Sequence, residues 1–295
     1  MTSSPLSRRA LAAALAVAAE HGLRCDAPRI LRSASNLLVL LHPAPVVARV
    51  TTVTSTFRPG AAWLTREVAM AGYLAAAGAP VVPPSDELPP GPHAHDGLVL
   101  SFWPYVDEGD RQLDGAEAGR RLLLCHDLLR DFPGDLEPLG VLGEVDGILA
   151  GLRTDGTLDA DDAALLHRAG DDVRRRIAQL ALPMQPIHGD AHLDNVINGP
   201  DGPLWNDWED CFSGPRAWDL GCLVATARLF GGDPGPAEAA LAAYAMAPGD
   251  DVIDVFVEAR RYEGVAVSVL MARAQPTRER RERAERLLAF YRERA

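Results

Sequence analysis

Residues 186–195, which read PIHGDAHLDN, form the most informative stretch of the sequence, together with LWNDWED at residues 204–210. An apolar approach leads into a tight His-Gly-Asp turn that ends at Asp190. Asn195 follows five residues after this aspartate, and Asp207 follows twelve residues after Asn195. The stretch therefore combines a carboxylate on a turn with two further oxygen-bearing side chains at defined spacing.

Phosphorylation of a hydroxyl group by Mg-ATP requires such a set. One carboxylate must orient the hydroxyl or accept its proton, and hard oxygen ligands must hold Mg²⁺ on the phosphates. Protein kinases place the base aspartate and the metal asparagine at the same D-x-x-x-x-N spacing, with a metal aspartate downstream. The alternative is a buried polar loop whose acidic residues cap nearby helices.

The pattern resembles a known family. HGDAHLDN is similar to the HGDxHxxN signature of the aminoglycoside phosphotransferases and choline-kinase-like enzymes, and Asn206-Asp207-Trp208 occupies the position of their second metal motif. Residues 214–220, GPRAWDL, resemble the family's downstream G-P-x-x-x-D-L segment. Weaker similarity extends from about residue 30 to about residue 230, which is most of the chain.

The resemblance implies a role for each matching residue. Asp190 would be the catalytic base, and Asn195 and Asp207 would be the Mg²⁺ ligands. His188 would support the catalytic turn, and Asp219 would accept hydrogen bonds from its main chain. The implied cofactors are ATP, or GTP, and Mg²⁺.

Strand patterns lie in the first third of the chain and helical patterns in the rest, which predicts an α+β fold. Together with the resemblance, this indicates a bilobal protein-kinase-like fold with a small N-terminal lobe containing an antiparallel sheet and a mostly helical C-terminal lobe. We expect residues 1–104 to form a nucleotide-clamping lobe that ends in the hinge. Residues 105–295 would form the catalytic and acceptor-binding lobe.

The sequence contains no lysine, so all 29 Lys and Arg positions are arginine. This excludes P-loop nucleotide hydrolases and enzymes that form Schiff bases, because both need a lysine amine. Kinases also hold the α- and β-phosphates with a strand lysine that pairs with a helix glutamate. Arg49, in VVAR, lies where that lysine would be, and the segment around Glu67 resembles the family's helix with the partner glutamate, which implies that role for Glu67. The alternative is that Arg49 is a surface charge at a strand end.

The remaining nucleotide contacts are predicted from position. Ser33 and Ser35 lie between two strands, where a phosphate-covering loop is expected, although an ordinary hairpin turn fits equally well. Phe102, Trp103 and Tyr105 follow a buried strand and fit a hinge that contacts adenine, although they could equally belong to the core. Glu209 and Asp210 are candidates for acceptor contacts or for capping the next turn.

The composition narrows the class of partner. A net charge of −12 disfavours nucleic acid and suits a cationic small molecule, although solubility alone explains it about as well. No apolar run approaches the roughly 20 residues of a membrane span, and residues 10–19 favour a helix over a cleaved signal. Four scattered cysteines are typical of a cytoplasmic protein with reduced thiols.

The His93-Ala94-His95 motif is interpreted as an exposed loop.

These observations predict transfer of a γ-phosphoryl group to a small-molecule hydroxyl, possibly of an aminoglycoside-like antibiotic. One alternative is a metabolite kinase acting on an amino sugar, an aminoalcohol or a hydroxy amino acid. Another is a catalytically inactive nucleotide-binding regulatory protein. The sequence leaves the acceptor, the choice between ATP and GTP, and the oligomeric state open.

Overall fold

A computed structural model describes residues 4–110 and 112–294. Its helices are α1 (Pro5–Glu20), α2 (Ala62–Ala76), α3 (Gly115–Leu129), α4 (Gly140–Thr154), α5 (Ala160–Leu180), α6 (Arg216–Phe230), α7 (Gly235–Ala243), α8 (Asp250–Ala274) and α9 (Arg278–Arg292). Its strands are β1 (Arg29–Ser33), β2 (Asn36–Leu40), β3 (Val46–Thr51), β4 (His93–His95), β5 (Leu98–Pro104), β6 (Gln185–Ile187), β7 (Val196–Gly199), β8 (Gly202–Trp205) and β9 (Phe212–Gly214). The predicted α+β class is confirmed.

The chain divides into two compact units. Unit 1 consists of Met1–Leu113 and Val196–Asp210, and unit 2 consists of Asp114–Asn195 and Cys211–Ala295. The nucleotide-clamping role of residues 1–104 and the acceptor-binding role of residues 105–295 stay predictions.

Unit 1 is organised around an antiparallel sheet in the order β1-β2-β3-β5-β4. Strands β2 and β3 are almost wholly buried, as expected for apolar central strands covered on their faces. Helix α1 packs its buried alanines against this sheet, which confirms the helix predicted at residues 10–19. The short hairpin β7-β8 also belongs to this unit and leads directly to Asp207.

The His93-Ala94-His95 motif does not form a loop, in contrast to the sequence prediction. It is the edge strand β4, which pairs with β5. The His93 ring packs 5.3 Å from the Phe102 ring, centroid to centroid, and its Nε2 lies 2.8 Å from the Pro89 carbonyl oxygen. Pairing with a buried apolar strand explains why this polar sequence is extended.

Unit 2 is built around α6, whose residues from Ala217 to Ala225 are all buried. A helix that is buried on every side has a central position in its domain. Helices α7 and α8 pack against α6, and the two-stranded ladder of β6 and β9 lies in the same unit. This arrangement places Asp219 of α6 next to the end of β6. No helix within the described residues is long and apolar enough to span a bilayer.

Candidate active site

The His-Gly-Asp turn of unit 2 begins where β6 ends, and a buried aspartate fixes its main chain. Gly189 has a φ of +86°, a left-handed conformation that favours glycine. The Asp219 carboxylate accepts the N–H groups of His188 and Gly189, each at 2.8 Å. Trp218 Nε1 donates to the Gly189 carbonyl oxygen at 2.9 Å. The N–H and the carbonyl group of Gly189 are therefore both hydrogen-bonded to side chains of α6.

Two further side chains extend this network away from the turn. His126 of α3 places Nε2 2.8 Å from Asp219 Oδ2, and its Nδ1 lies 2.7 Å from the hydroxyl oxygen of Tyr244. His126 and Asp219 are fully buried. Because each buried polar group here has a partner, the network can fix the turn without leaving a group unsatisfied.

Asp190 follows the fixed turn, and its side chain is 19% exposed, so its carboxylate is within reach of a substrate. Arg260 Nη2 donates to Asp190 Oδ1 at 2.5 Å, and His192 Nε2 lies 3.3 Å from Oδ2. Burial opposes ionisation, but the positive charges of Arg260 and His192 outweigh it and hold the pKa of Asp190 well below its usual range. Asp190 is therefore an ionised carboxylate.

Asn195, the other predicted residue of this unit, is in contact with Asp190. Its Nδ2 donates to the Asp190 main-chain oxygen at 2.9 Å and lies 3.3 Å from Oδ2. This orientation directs the amide nitrogen to Asp190 and leaves the amide oxygen for another partner, such as a hard cation. The structure thus brings the predicted base and one predicted metal ligand together.

In unit 1, Arg49 lies at the centre of a buried charge cluster. It is 5% exposed, so the alternative of a surface charge is wrong. Arg49 forms an ion pair with Glu67, and its Nη2 lies 2.6 Å from Asp207 Oδ1 and 2.5 Å from Glu209 Oε2. Burial lowers the pKa of Arg49, but the three carboxylates more than reverse this effect, so the guanidinium stays charged. The structure therefore forms the Arg49–Glu67 pair that the resemblance implied.

Glu209 and Asp210, the candidates for acceptor contacts or for capping the next turn, both have ion-pair partners in unit 1, and an acceptor contact stays a prediction. Glu209 is 8% exposed and also accepts from Asn36 Nδ2 at 3.2 Å, while Asp210 pairs with Arg58. The sequence could not distinguish these partners, because acidic residues beside a metal motif suit either role.

The donor set of the cluster fits a divalent cation. Four carboxylates face the two guanidinium groups of Arg49 and Arg58, so negative charge is in excess. Burial raises the pKa of Glu67 to about 7 despite the opposing charge of Arg49, and Glu67 Oε2 has no hydrogen-bond partner among the described residues. Within residues 4–110 and 112–294, no three His, Cys, Asp or Glu side chains form a metal site by themselves. Mg²⁺ does not need one, because it commonly binds one or two protein carboxylates plus phosphate and water oxygens.

The other predicted nucleotide contacts lie in unit 1. Ser33 and Ser35 flank the tight β1-β2 hairpin, where Thr52 Oγ1 donates to the Ser35 carbonyl oxygen at 2.6 Å. Ser33 is exposed and Ser35 half-buried. A hairpin turn and a phosphate contact are compatible here, and the phosphate contact stays a prediction.

The predicted hinge residues form the end of β5 and the residue after it. Phe102 is fully buried, its N–H donates to Pro90, and its carbonyl accepts from Ser85. Trp103 is buried with Nε1 bonded to Ser101 Oγ at 2.9 Å, and the Tyr105 N–H donates to Pro45. Phe102 and Trp103 therefore belong to the packed interior, Tyr105 is bonded through its main chain, and an adenine contact from this segment stays a prediction.

The architecture is that of a kinase-like phosphotransferase fold. The chain belongs to the phosphotransferase enzyme family, whose profile matches residues 34–256. It is therefore an enzyme that transfers phosphoryl groups to hydroxyl groups of small molecules. Membership of an enzyme family argues against the catalytically inactive regulatory protein.

Several solved structures share the fold at low sequence identity. The structure of amicoumacin kinase hAmiN has 13% identity and a TM-score of 0.71, with 95% of this chain and 93% of that chain covered. The choline kinase LicA from Streptococcus pneumoniae has 15% identity and a TM-score of 0.66, with 94% and 99% covered. The aminoglycoside phosphotransferase APH(3'')-Id from Streptomyces rimosus has 19% identity and a TM-score of 0.59, with 87% and 98% covered. A comparison with curated protein sequences gave no significant match.

Proposed function

We propose that this phosphotransferase uses ATP or GTP with Mg²⁺ and phosphorylates a hydroxyl group of a small, cationic molecule such as an aminoglycoside-like antibiotic. The observation that carries the proposal is the ionised, partly exposed Asp190 on a turn whose main chain is bonded to buried Asp219. Solved relatives of the same fold were crystallised with AMP-PNP, ADP or GDP, which supports a nucleotide as the donor.

In this reaction, the bond between the γ-phosphorus and the bridging oxygen breaks as the acceptor oxygen bonds to phosphorus. Asp190 orients the acceptor hydroxyl and takes its proton, which is later released to water. Because the transition state of phosphoryl transfer is loose, a weakly basic carboxylate is sufficient for this step. Positioning of the hydroxyl is therefore the larger contribution of Asp190.

Arg49 and the turn that contains Ser33 and Ser35 are proposed to bind the phosphates. The segment of Phe102, Trp103 and Tyr105 is proposed to contact the adenine edge. Asn195 and Asp207 are proposed to hold Mg²⁺, which supplies charge neutralisation on the phosphate oxygens when bound. The orientation of Asn195 supports this role, because its amide nitrogen faces Asp190 and its amide oxygen therefore faces away from that carboxylate. The negative charge around Asp207 supports it as well.

The acceptor class has a second candidate. The fold is shared with a choline kinase as well as with antibiotic kinases, which supports an aminoalcohol or another metabolite as the alternative acceptor. A cytoplasmic location is also part of the proposal, because four scattered cysteines without a disulfide-dense spacing are typical of proteins from reducing compartments.

The test is nucleotide-dependent ADP or GDP release with Mg²⁺, measured over aminoglycosides, macrolides, amino sugars and aminoalcohols. Asp190→Asn should lower kcat by about 10²–10⁴-fold with little change in the nucleotide KM. Asp194→Asn is the matched control, because Asp194 is an exposed acid of the same segment. Normal turnover by Asp190→Asn would contradict the assignment. Protection of a sensitive host against an antibiotic would separate the two acceptor classes.

A further inference from the structure

Arg260 of α8 contacts the carboxylate of Asp190, although the two residues are 70 positions apart in the chain. Its Nη2 donates to Asp190 Oδ1 at 2.5 Å, and its Nη1 donates to Glu263 Oε2, one helical turn further along α8, also at 2.5 Å. The Arg260 side chain is 16% exposed and that of Glu263 is 12% exposed. The guanidinium is therefore fixed between two partly buried carboxylates.

This contact makes the two oxygens of Asp190 different from each other. Oδ1 accepts a short, charge-assisted hydrogen bond from Arg260, which is the strong class of hydrogen bond. Among the residues that the structure describes, Oδ2 has only longer contacts, at 3.3 Å to His192 Nε2 and 3.3 Å to Asn195 Nδ2. Oδ2 is thus the oxygen that can exchange a weak contact for a hydrogen bond from an incoming hydroxyl.

We propose that Arg260 is a positioning residue that fixes Asp190 through Oδ1 and so presents Oδ2 to the acceptor hydroxyl, with Glu263 holding Arg260 in place. This inference rests on the proposed function, because it assigns the orientation of the same base. Arg260 touches neither the acceptor nor the phosphate; it acts through Asp190.

Stability alone is a poor explanation for the Arg260 arrangement. Removing charged groups from water costs free energy that a buried ion pair recovers only in part, so such pairs are weak contributors to stability. The arrangement does have a function if it orients a catalytic carboxylate, since an error of about 1 Å in the position of a reacting group can cost about 10²-fold in rate.

The adjacent Arg261 provides a matched comparison. It also pairs with a glutamate three residues away, Glu258, and its guanidinium lies 3.8 Å from the centre of the Phe290 ring. Its side chain is 18% exposed, close to the value for Arg260. Arg261 therefore lies on the same helix as Arg260, has a similar side-chain exposure and also pairs with a glutamate three residues away. Its described ion pair is with Glu258, whereas Arg260 also pairs with Asp190.

The experiment measures steady-state kinetics of Arg260→Gln, Arg260→Lys and Arg261→Gln. We expect Arg260→Gln to lower kcat by about 10²-fold while the KM values for nucleotide and acceptor change less than about threefold. Arg260→Lys should recover part of the loss, because the ammonium keeps the charge without the forked geometry. Arg261→Gln should keep the wild-type kcat. A wild-type kcat for Arg260→Gln, or an equal loss in Arg261→Gln, would overturn the inference.

A second measurement does not depend on activity. Urea unfolding of Arg260→Gln, Asp190→Asn and the double variant gives the coupling between the two side chains, and we expect a coupling of about tenfold in the unfolding equilibrium constant. Additive effects would refute the contact. Coupling without phosphoryl transfer by the wild-type protein to any acceptor would instead refute the proposed function, so the two failures are distinguishable.

Discussion

The imidazole of His126 lies 2.8 Å from the carboxylate of Asp219, and both side chains are fully buried. Through Asp219, His126 is connected to the main chain of the His-Gly-Asp turn, since Asp219 accepts the N–H groups of His188 and Gly189. A residue on α3 thereby supports the position of Asp190. The support is indirect, so its loss should affect stability and turnover together.

We predict that His126→Leu lowers the free energy of unfolding by about 1–3 kcal/mol, because Asp219 and the Tyr244 hydroxyl each lose a buried partner. Tyr244→Phe should cost less, about 1 kcal/mol, because it removes the hydrogen bond to His126 but leaves Asp219 with its His126 partner. Chemical denaturation followed by circular dichroism measures both. His167→Leu, at an exposed position on α5, is the control and should have little effect. Equal stability of His126→Leu and His167→Leu would show that the buried network contributes nothing.

Arg49 is the next position to test, because three carboxylates surround it. We predict that Arg49→Ala destabilises the protein by about 3–5 kcal/mol, since it leaves buried acids unpaired. It should also raise the nucleotide KM or lower kcat. Arg49→Lys should retain appreciable activity, because the positive charge is kept. Denaturation and steady-state kinetics measure these effects, and wild-type kinetics for Arg49→Ala would remove Arg49 from the phosphate-binding assignment.

Much of the fold followed from local sequence patterns. The strand patterns in the first third of the chain agree with β2, β3 and β5, and the helical patterns in the rest agree with the helices of unit 2. These elements are predictable because their burial pattern is a property of a short segment. The strand at His93–His95 was missed, because a polar edge strand is stabilised by its neighbour β5 and not by its own composition.

The candidate site was predictable where its residues are close in the chain. The Asp190–Asn195 contact follows from one turn, and the Arg49–Glu67 pair follows from the resemblance to a known family. Arg260 had no such signal, since its partner is 70 residues away and α8 carries several arginines that look alike in the sequence. Its role depends on which face of α8 packs toward the turn, which only tertiary structure determines.

The free energy of unfolding should depend on pH through the titration of His192. Burial lowers the pKa of His192, but the Asp190 carboxylate outweighs that effect and raises the pKa above its usual 6.5. A raised pKa in the folded state contributes stability that is fully present below about pH 6.5 and is lost as the pH rises through the folded-state value. We predict that the wild-type protein loses more free energy of unfolding between pH 6 and pH 9 than His192→Gln does. Denaturation at each pH measures this difference, and parallel pH profiles would exclude the His192–Asp190 interaction as its source.

The close packing of α3 against α7 should make the free energy of unfolding sensitive to one added methyl group. A Cβ atom at Gly119 would lie 2.0 Å from the Ala240 carbonyl oxygen, so Gly119→Ala must push the two helices apart. We predict a loss of about 1–3 kcal/mol in the free energy of unfolding, as is typical of overpacking. Because α3 carries His126 and Tyr244 directly follows α7, the hydrogen bond between these two residues should weaken as well.

Gly147→Ala is the matched control for this substitution. Gly147 is an exposed residue inside α4, and a Cβ atom there would meet nothing within 4 Å. Alanine at such a position stabilises a helix by about 0.5–1 kcal/mol, because it restricts the unfolded chain. The same chemical change should therefore have opposite signs at Gly119 and Gly147, as measured by urea denaturation. Stabilisation by both substitutions would mean that α3 and α7 are not in the close contact described above.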